Sequence, residues 1–398
     1  MEPRDALEDV VVLDMTKVLA GPYCGAILAD MGATVIKIEI PGKGDDSRNY
    51  GPFQNGESIY YGNLNRNKRG MTLNLKTQKG KEILKKLVKK ADILLENNRP
   101  GTMERLGVGY ETLKEINPRL IYGSITGFGC TGRYSDRPGY DIIAQAMGGL
   151  MSVTGQEGDP PTRCGNAIGD ILGGMNLTIG VLTALHARTL TGKGQYIDIS
   201  LVDSVIVSLE QAWQRYFATG ELPVRHGNSY DAIAPYDSFT AKDGYIVIGC
   251  GNQKMFEILC EKILNRPDLI EDPKYKTVPL RVKNNKEFKK IVEEWSAYIP
   301  VEQGVSLLLA QGIPAGPIYN LQQISDDPHF CIDRQMFVEV DHPKAGKVRL
   351  NGNPVKLSET GPKIRMSFPV LGEHTDDILR KLGYADNTIE EFHLRGVV

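Results

Sequence analysis

The sequence of 398 residues has no excess of charge of either sign and no long apolar run. Its 47 basic and 49 acidic side chains leave a net charge of −2. This balance argues against nucleic acid bound through bulk positive charge and against a polybasic membrane anchor. No run approaches 18 consecutive apolar residues, and the first five residues lack the basic start of a signal peptide. We therefore expect no membrane segment and a cytoplasmic location.

Cysteine and histidine are too scattered to form the usual disulfide or metal patterns. The six cysteines include no CxxC pair, so neither a disulfide framework nor a zinc site is indicated. The two nearest of the six histidines, His329 and His342, are 13 residues apart, which excludes a local HExxH site. Walker A and GxSxG patterns are also missing. We expect no metal ion and no tightly bound cofactor.

Glycine and proline are present in excess. The 43 glycines and 22 prolines make up roughly 16% of the chain, against an average of about 12%, and they fall in clusters. Glycine allows a backbone to turn with positive φ or to approach a ligand closely. A binding site is therefore expected at the glycine clusters.

Strands and helices alternate over the first 126 residues. The apolar patterns predict strands over 10–15, 34–39, 71–75, 92–96 and 120–126, and helices over 21–33, 77–91 and 110–116. Such alternation predicts βαβ units, and hence an α/β fold with a mainly parallel, Rossmann-like sheet covered on both faces.

The chain as a whole is predicted to divide into three parts. A glycine-rich loop over 127–169 precedes a long apolar helix over 170–190. We predict a large α/β domain over 1–221, a smaller α+β domain over 222–330, and a tail over 331–398 that returns to the large domain.

Residues 127–132 (GFGCTG) fit the GxGxxG dinucleotide pattern and follow a predicted strand. A dinucleotide fingerprint must open a helix, so that the pyrophosphate lies at the helix N-terminus. The next residues, 133–139, include Pro138 and Gly139 and cannot form that helix. We therefore reject this loop as a dinucleotide site.

Asp170 lies at the start of the long apolar helix, directly after the glycine-rich loop. One interpretation is an N-cap that accepts hydrogen bonds from free helix amides. The other is a nucleophile, with open space around it from Gly169, Gly173 and Gly174, and held ionised by the helix N-terminus. The residues alone leave both interpretations open.

Two further segments follow predicted strands, where α/β folds place ligands. Residues 97–105 contain arginines that suit phosphate groups, although a surface loop explains them equally. Residues 249–253 are either a backbone-amide oxyanion site or a simple strand-to-helix turn. Cys250 has no histidine near it in sequence to act as its base, which argues against a thiol nucleophile. Lys68 and Arg69 are interpreted as a solvated turn before a strand.

An ordered set of short motifs extends from about Val10 to the C-terminus: LDMT at 13–16, AGP at 20–22, GATVIKIE at 32–39, GDD at 44–46, NRNKR at 65–69, ENNRPG at 96–101, INPRLIYG at 116–123, YD at 140–141, GD at 169–170 and LGEHT at 371–375. In these motifs and their order the chain resembles the class III coenzyme A transferases, the CaiB/BaiF group.

The resemblance implies transfer of CoA from a short acyl-CoA to a small carboxylic acid. The family aspartate that matches Asp170 attacks the acyl-CoA thioester and passes through a mixed anhydride and an aspartyl-CoA thioester. Asp141 is expected to be a carboxylate beside this nucleophile. Gly249 and Gly251 match a glycine loop that closes over the intermediate.

The resemblance also implies the CoA and acid sites. The residues that match the CoA site are Val18, Leu73, Asn97 and Asn98, with Arg105 and Arg137 on the phosphates, and those that match the acyl pocket are Leu19, Tyr60 and Tyr140. Ile40 departs from the formyl-CoA transferases, which have an arginine there on the adenine side. Leu19 replaces a glutamine near the small acid, which argues against formate. Motif spacing is nearest to the oxalate-using branch, so oxalate is the first acid expected.

Two other functions are consistent with this resemblance. The family includes racemases of 2-methylacyl-CoA, which need two bases, and they have a histidine where this chain has Tyr140. Because tyrosine has an ordinary pKa of about 10, it is a poor proton acceptor at neutral pH, and transfer is favoured. The other alternative is a non-catalytic CoA-binding protein. The family fold is an interlocked homodimer, which we expect here.

Overall fold

The computed structural model describes residues 5–398, which form two compact units. The larger unit comprises the chain up to residue 150 and residues 163–219 and 328–398. The smaller unit comprises residues 151–162 and 220–327. The sequence had assigned the short segment 151–162 to the large domain, and the other boundaries lie within three residues of those predicted.

A six-stranded sheet forms the centre of the larger unit. Its strands lie in the order β5-β2-β1-β6-β7-β8, and every neighbouring pair is parallel. The strands β1–β8 are Val11–Asp14, Thr34–Glu39, Phe53–Gln54, Glu57–Ser58, Lys68–Thr72, Ile93–Glu96, Ile121–Thr126 and Tyr196–Ser200. The short β3 and β4 pair separately as an antiparallel hairpin. The strand order reverses between β1 and β6, which is where open α/β sheets bind ligands.

Helices cover both faces of this sheet. The helices α1–α10 are Ala20–Asp30, Ile59–Asn65, Gln78–Val88, Thr102–Arg105, Tyr110–Ile116, Asp141–Met147, Leu150–Val153, Ile168–Thr191, Leu201–Ser208 and Glu210–Thr219, and a 3₁₀ turn covers Asp46–Asn49. Of these, α7 falls mostly in the segment 151–162 of the smaller unit. Val12 and Leu13, neighbours in β1, point to opposite faces and join different cores. One core includes α1, α8 and α9, and the other includes α3 and α5.

Helix α8 is, within residues 5–398, the one helix long and apolar enough to cross a membrane by length and composition. In this fold one face of it belongs to the core, while Ile179 on another face is exposed. Its Leu177 and Val181 side chains are fully buried, and it packs closely against α1. A Cβ atom on Gly174 would lie 2.5 Å from the Ala20 carbonyl oxygen, so glycine is required for this close approach.

The smaller unit has an antiparallel sheet of three strands in the order β11-β10-β9. The strands β9–β11 are Tyr236–Ala241, Gly244–Gly249 and Ala315–Pro317; the helices α11–α16 are Gln253–Ile258, Asp268–Glu271, Val278–Lys283, Asn285–Ser296, Val301–Ala310 and Leu321–Asp326, with a π-helical turn at Leu259–Ile263. Its core contains Phe239, Ile246, Phe256 and Phe288.

The C-terminal tail belongs to the larger unit but adds no strand to the six-stranded sheet among the residues described. It forms a π-helical turn at His329–Asp333, an antiparallel hairpin of β12 (Phe337–His342) and β13 (Gly346–Asn351), and helices α17 (Thr375–Lys381) and α18 (Asp386–Leu394). The predicted class, α/β with a parallel sheet and a smaller α+β unit, is confirmed.

Candidate active site

Two neighbouring cavities open at the carboxyl ends of the parallel strands, where the strand order reverses. The first cavity, of about 250 Å³, is lined from the segments after β1, β6 and β7 and by the start of α8. The second, of about 630 Å³, is lined from the segments after β1, β2 and β5 and by α4. Lys17 and Asn98 line both, so the two cavities adjoin at these residues.

The structure brings together most of the residues that the sequence singled out. The first cavity is lined by Val18, Leu19, Asn97, Asn98, Arg137, Tyr140 and Asp170. The second is lined by Leu73, Asn98 and Arg105. Leu19 is buried, whereas Tyr140 is 73% exposed. Shared location does not test the individual roles, which remain predictions.

Asp170 is the third residue of α8 and is half-buried in the wall of the first cavity. Its carboxylate makes no hydrogen bond or ion pair with any described residue, so it is not the N-cap. Burial, and then the negative charge of Asp141, raise the pKa of Asp170 to about 7. At neutral pH this carboxyl is therefore about half protonated, which is less ionised than expected for an aspartate at a helix N-terminus.

Asp141 performs the capping that one interpretation gave to Asp170. One of its carboxylate oxygens accepts hydrogen bonds from the backbone N–H groups of Gly169 (2.8 Å) and Asp170 (3.4 Å). The other accepts from Nε2 of Gln145 at 2.7 Å. Because Asp141 lies at the start of α6, this contact joins two helix starts and places a second buried carboxylate next to Asp170.

The glycines around Asp170 do not leave open space, contrary to the expectation from sequence. A Cβ atom on Gly169 would lie 3.1 Å from Oδ1 of Asp141, and one on Gly173 would lie 2.7 Å from a Leu201 methyl group. Together with Gly174 against α1, these positions let three helices approach α8 closely. Their function is close packing, and it fixes where the carboxylate of Asp170 lies.

Tyr60 does not line either cavity but lies within the electrostatic influence of the site. Burial, and then the negative charge of Asp170, raise the pKa of Tyr60 to about 12. Its phenol therefore stays protonated at neutral pH and is a hydrogen-bond donor. Its ring lies 5.9 Å from that of Tyr50, between centroids.

The GFGCTG segment shapes the wall of the first cavity. A Cβ atom on Gly127 would lie 2.6 Å from the Gly139 Cα atom, so two loop backbones cross here without room for a side chain. Gly127, Pro138 and Gly139 all line the cavity. Residues 127–140 contain no helix, as expected if this is not a dinucleotide fingerprint.

The second cavity combines apolar walls with positive charge. Ile40, Leu75 and Leu106 are among its apolar residues, while Lys76 and Arg105 carry its charge together with Lys43. Neither Lys76 nor Arg105 forms an ion pair within the described chain, whereas Lys43 pairs with Asp46 at 2.9 Å. An apolar slot with cations at its edge suits a planar heterocycle that carries phosphates.

Two residues at the cavities were missed by sequence reasoning, Lys17 and Asp45. Lys17 adds positive charge to the first cavity, as does Arg99 from the segment 97–105, and neither side chain is ion-paired in residues 5–398. The GDD motif contains Asp45, whose carboxylate accepts a hydrogen bond from the N–H of Val18 in the first cavity's wall, 27 positions away in the chain. The signal available was that each follows a predicted strand, Lys17 two positions after residue 15 and Asp45 six positions after residue 39.

Gly249 and Gly251 belong to the smaller unit, at the end of β10 and in the turn before α11. A Cβ atom on Gly251 would have no other atom within 4 Å, so its surroundings are open. Cys250 between them is buried, and burial raises the pKa of its thiol to about 12, which argues against a thiolate nucleophile. No group of three His, Cys, Asp or Glu side chains in residues 5–398 is arranged to hold a metal ion.

Comparison with known proteins shows the family. The family model described as CoA-transferase family III matches residues 7–375. The chain is 42% identical to a succinyl-CoA:mesaconate CoA-transferase of Haloarcula hispanica over 96% of this chain and 98% of that protein. It is 41% identical to an acetyl-CoA:oxalate CoA-transferase of Acetobacter aceti over 94% of each chain. A CaiB/BaiF family protein from Brucella suis, of solved structure, is 36% identical with a TM-score of 0.85, covering 96% of this chain and all of that one. The chain therefore belongs to CoA-transferase family III, the CaiB/BaiF family, and is a CoA-transferase that uses an acyl-CoA as substrate.

Proposed function

We propose that this enzyme moves CoA from a short acyl-CoA to a small dicarboxylic acid through a covalent intermediate on Asp170. The observation that carries the proposal is the position of this carboxylate, in the wall of the first cavity and without a partner in the described chain. A carboxylate with no internal partner is available to attack a thioester, and its raised pKa makes it more nucleophilic than an ordinary aspartate.

The reaction balances in four steps. A carboxylate oxygen of Asp170 attacks the thioester carbonyl carbon, the C–S bond breaks, and a mixed anhydride and CoA thiolate form. The thiolate attacks the aspartyl carbonyl carbon and releases the donor acid as a carboxylate. The acceptor carboxylate attacks the resulting aspartyl-CoA thioester and expels the thiolate again. The thiolate then attacks the acceptor's acyl carbon, which forms the new acyl-CoA and restores Asp170.

The adjoining cavities suit the two ends of an acyl-CoA. The second cavity takes the adenosine and phosphates, with Lys76 and Arg105 near the phosphates. The pantetheine arm passes Lys17 and Asn98, which line both cavities, and reaches Asp170 in the first. Ile40 replaces an arginine of the formyl-CoA transferases. We propose that the adenine here packs on an apolar wall.

A dicarboxylic acid fits the charge of the first cavity. While one carboxylate reacts at Asp170, the other needs a cation, and Lys17, Arg99 and Arg137 all line the cavity. The relatives from Haloarcula hispanica and Acetobacter aceti act on mesaconate and oxalate, both dicarboxylic acids. Oxalate remains the first acid to test, because of motif spacing.

The first prediction concerns this acid selectivity. Purified protein is incubated with succinyl-, acetyl- or formyl-CoA and with oxalate, mesaconate, glutarate, acetate or formate, and the acyl-CoA products are identified by mass spectrometry. We expect the dicarboxylic acids to react at least about tenfold faster than the monocarboxylic acids, because only they pair with a cation beyond the reacting group. Faster reaction of acetate or formate contradicts the proposal.

A second prediction concerns oligomeric state. The larger unit exposes a large apolar face on α6, α8 and α9, where Ile142, Ile179 and Val207 are each more than half exposed. Soluble chains rarely leave such a contiguous face uncovered, and we propose that a second copy of the chain covers it. Light scattering should give twice the chain mass of 43.9 kDa.

The substitution Ile179→Glu should weaken this dimer, because it buries a carboxylate in an apolar interface. Leu394→Glu is the matched control: Leu394 is equally apolar and 83% exposed, but it lies in α18, on the other side of the sheet. A wild-type mass of one chain, or equal loss of dimer in both variants, contradicts the assignment of this face.

A further inference from the structure

The turn over residues 16–18, which joins β1 to α1, has an unusual backbone conformation. Val18 has φ of +66°, in the left-handed region, which β-branched residues adopt only under constraint. The turn also folds back closely on α1, because a Cβ atom on Gly21 would lie 2.3 Å from Thr16 Cβ. Lys17 in this turn lines both cavities and Val18 lines the first, so the strained backbone lies where the cavities meet.

Three side chains from other segments bind the backbone of this turn, one for each of its three residues. The ammonium of Lys37 in β2 donates a hydrogen bond to the Thr16 carbonyl oxygen. Asn97 pairs with both backbone groups of Lys17, accepting from its N–H at 2.9 Å and donating to its carbonyl oxygen at 2.8 Å. The N–H of Val18 donates to the carboxylate of Asp45, 3.1 Å from Oδ1 and 3.3 Å from Oδ2.

Asp45 and Lys37 form a fully buried ion pair, with Nζ 2.9 Å from Oδ2. The carboxylate also accepts from the backbone N–H of Ser47 at 2.9 Å and from its hydroxyl at 2.8 Å. Burial opposes ionisation, but Lys37 and these hydrogen bonds hold the pKa of Asp45 far below its ordinary value. The group is a carboxylate throughout the neutral range, and its contacts fix its position.

We propose that Asp45 and Lys37 are positioning residues for CoA: their buried ion pair holds the turn over 16–18 in its strained conformation, which places Lys17 and Val18 at the junction of the two cavities. The inference rests on the proposed use of both cavities by CoA. Neither side chain takes part in the four reaction steps. A valine with positive φ keeps a side chain in the cavity wall, which glycine could not supply, and the ion pair offsets the cost of that conformation.

A double-mutant cycle tests this coupling. The affinity for free CoA is measured by titration calorimetry for the wild type, Asp45→Ala, Val18→Gly and the double variant. We expect Asp45→Ala to weaken CoA binding about tenfold, because the turn relaxes, but at most about threefold in the Val18→Gly background, because glycine adopts this φ without strain. Asp30→Ala is the matched control. Asp30 is buried and paired with Arg66 at 2.6 Å, and it lines neither cavity.

The control should lose thermal stability as Asp45→Ala does while its CoA affinity stays within about twofold of the wild type. If Asp45→Ala folds poorly because Lys37 is left unpaired, Lys37→Met/Asp45→Ala removes both charges, and the same rescue by Val18→Gly is expected. Equal loss of affinity in both backgrounds, or equal loss in Asp30→Ala, overturns the inference. Since free CoA needs no acid and no covalent step, failure of the aspartyl mechanism leaves this result unaffected.

Discussion

Replacing Asp170 by asparagine is expected to lower the rate of CoA transfer by at least about 1,000-fold, while the affinity for free CoA stays within about threefold. Asparagine has nearly the same shape and keeps the packing at the start of α8. Its amide is a far weaker nucleophile than a carboxylate and cannot form the mixed anhydride or the aspartyl thioester. The loss should therefore appear in kcat and not in binding.

The measurement is a pair of assays on the same protein. Steady-state transfer gives the rate, and intact-protein mass spectrometry after mixing with acyl-CoA, without acceptor acid, should show a covalent CoA adduct on the peptide that contains Asp170. Asp203→Asn is the matched control, because Asp203 is the third residue of α9 as Asp170 is of α8, but it is exposed and outside the cavity. Full turnover in Asp170→Asn, or an adduct elsewhere, contradicts the covalent mechanism.

Local sequence patterns predicted the regular elements well where burial and pattern agree. The strand Thr34–Glu39 and the helix Tyr110–Ile116 have the predicted bounds. The first has Val35, Ile36 and Ile38 buried, as expected of a strand in a parallel sheet, although the buried Lys37 and Glu39 beside them are charged. The second has apolar residues three positions apart, at Tyr110, Leu113 and Ile116, which is the spacing of one helix face. Leu113 on this face is fully buried.

The prediction failed where distant residues decide the environment. Lys68 was interpreted as part of a solvated turn, but it is fully buried and begins β5. Its ammonium pairs with Asp14 at 2.7 Å and donates to the Pro22 carbonyl oxygen and to Asn65. Because Asp14 lies 54 positions away in the chain, no local pattern indicates that this charge is satisfied inside the protein.

The site itself was predicted as a set of residues but not as an arrangement. The motifs that follow β1, β2, β6 and β7 converge because parallel strands end at the same edge of the sheet. Sequence could not show that Asp141 caps α8 from a position 28 residues away. It also could not show that the space beside the glycines near Asp170 is filled by neighbouring helices. Both facts depend on how helices pack, and both alter the chemistry expected of Asp170.

The pH dependence of the first half-reaction should report the raised pKa of Asp170. Only the carboxylate attacks, so kcat/KM for acyl-CoA should fall by about 50-fold between pH 7 and pH 5, with a slope that approaches about tenfold per pH unit well below pH 7. The raised pKa affects stability in the opposite direction: activity rises with pH, whereas the contribution of this group to folding stability falls. Since the folded pKa lies above the ordinary value of 3.8, the folded state holds the extra proton, and this group's contribution to stability falls as pH rises from about 4 to about 7.

Asp141→Asn separates the two causes of that pKa. An asparagine still accepts from the N–H of Gly169 and so keeps the helix cap, but it removes the negative charge next to Asp170. Burial, the larger cause, remains. The acid limb of the profile should therefore move to lower pH in this variant without returning to the position expected for an ordinary aspartate. A flat wild-type profile from pH 5 to pH 8, or an unchanged limb in Asp141→Asn, contradicts the role given to this pair of carboxylates.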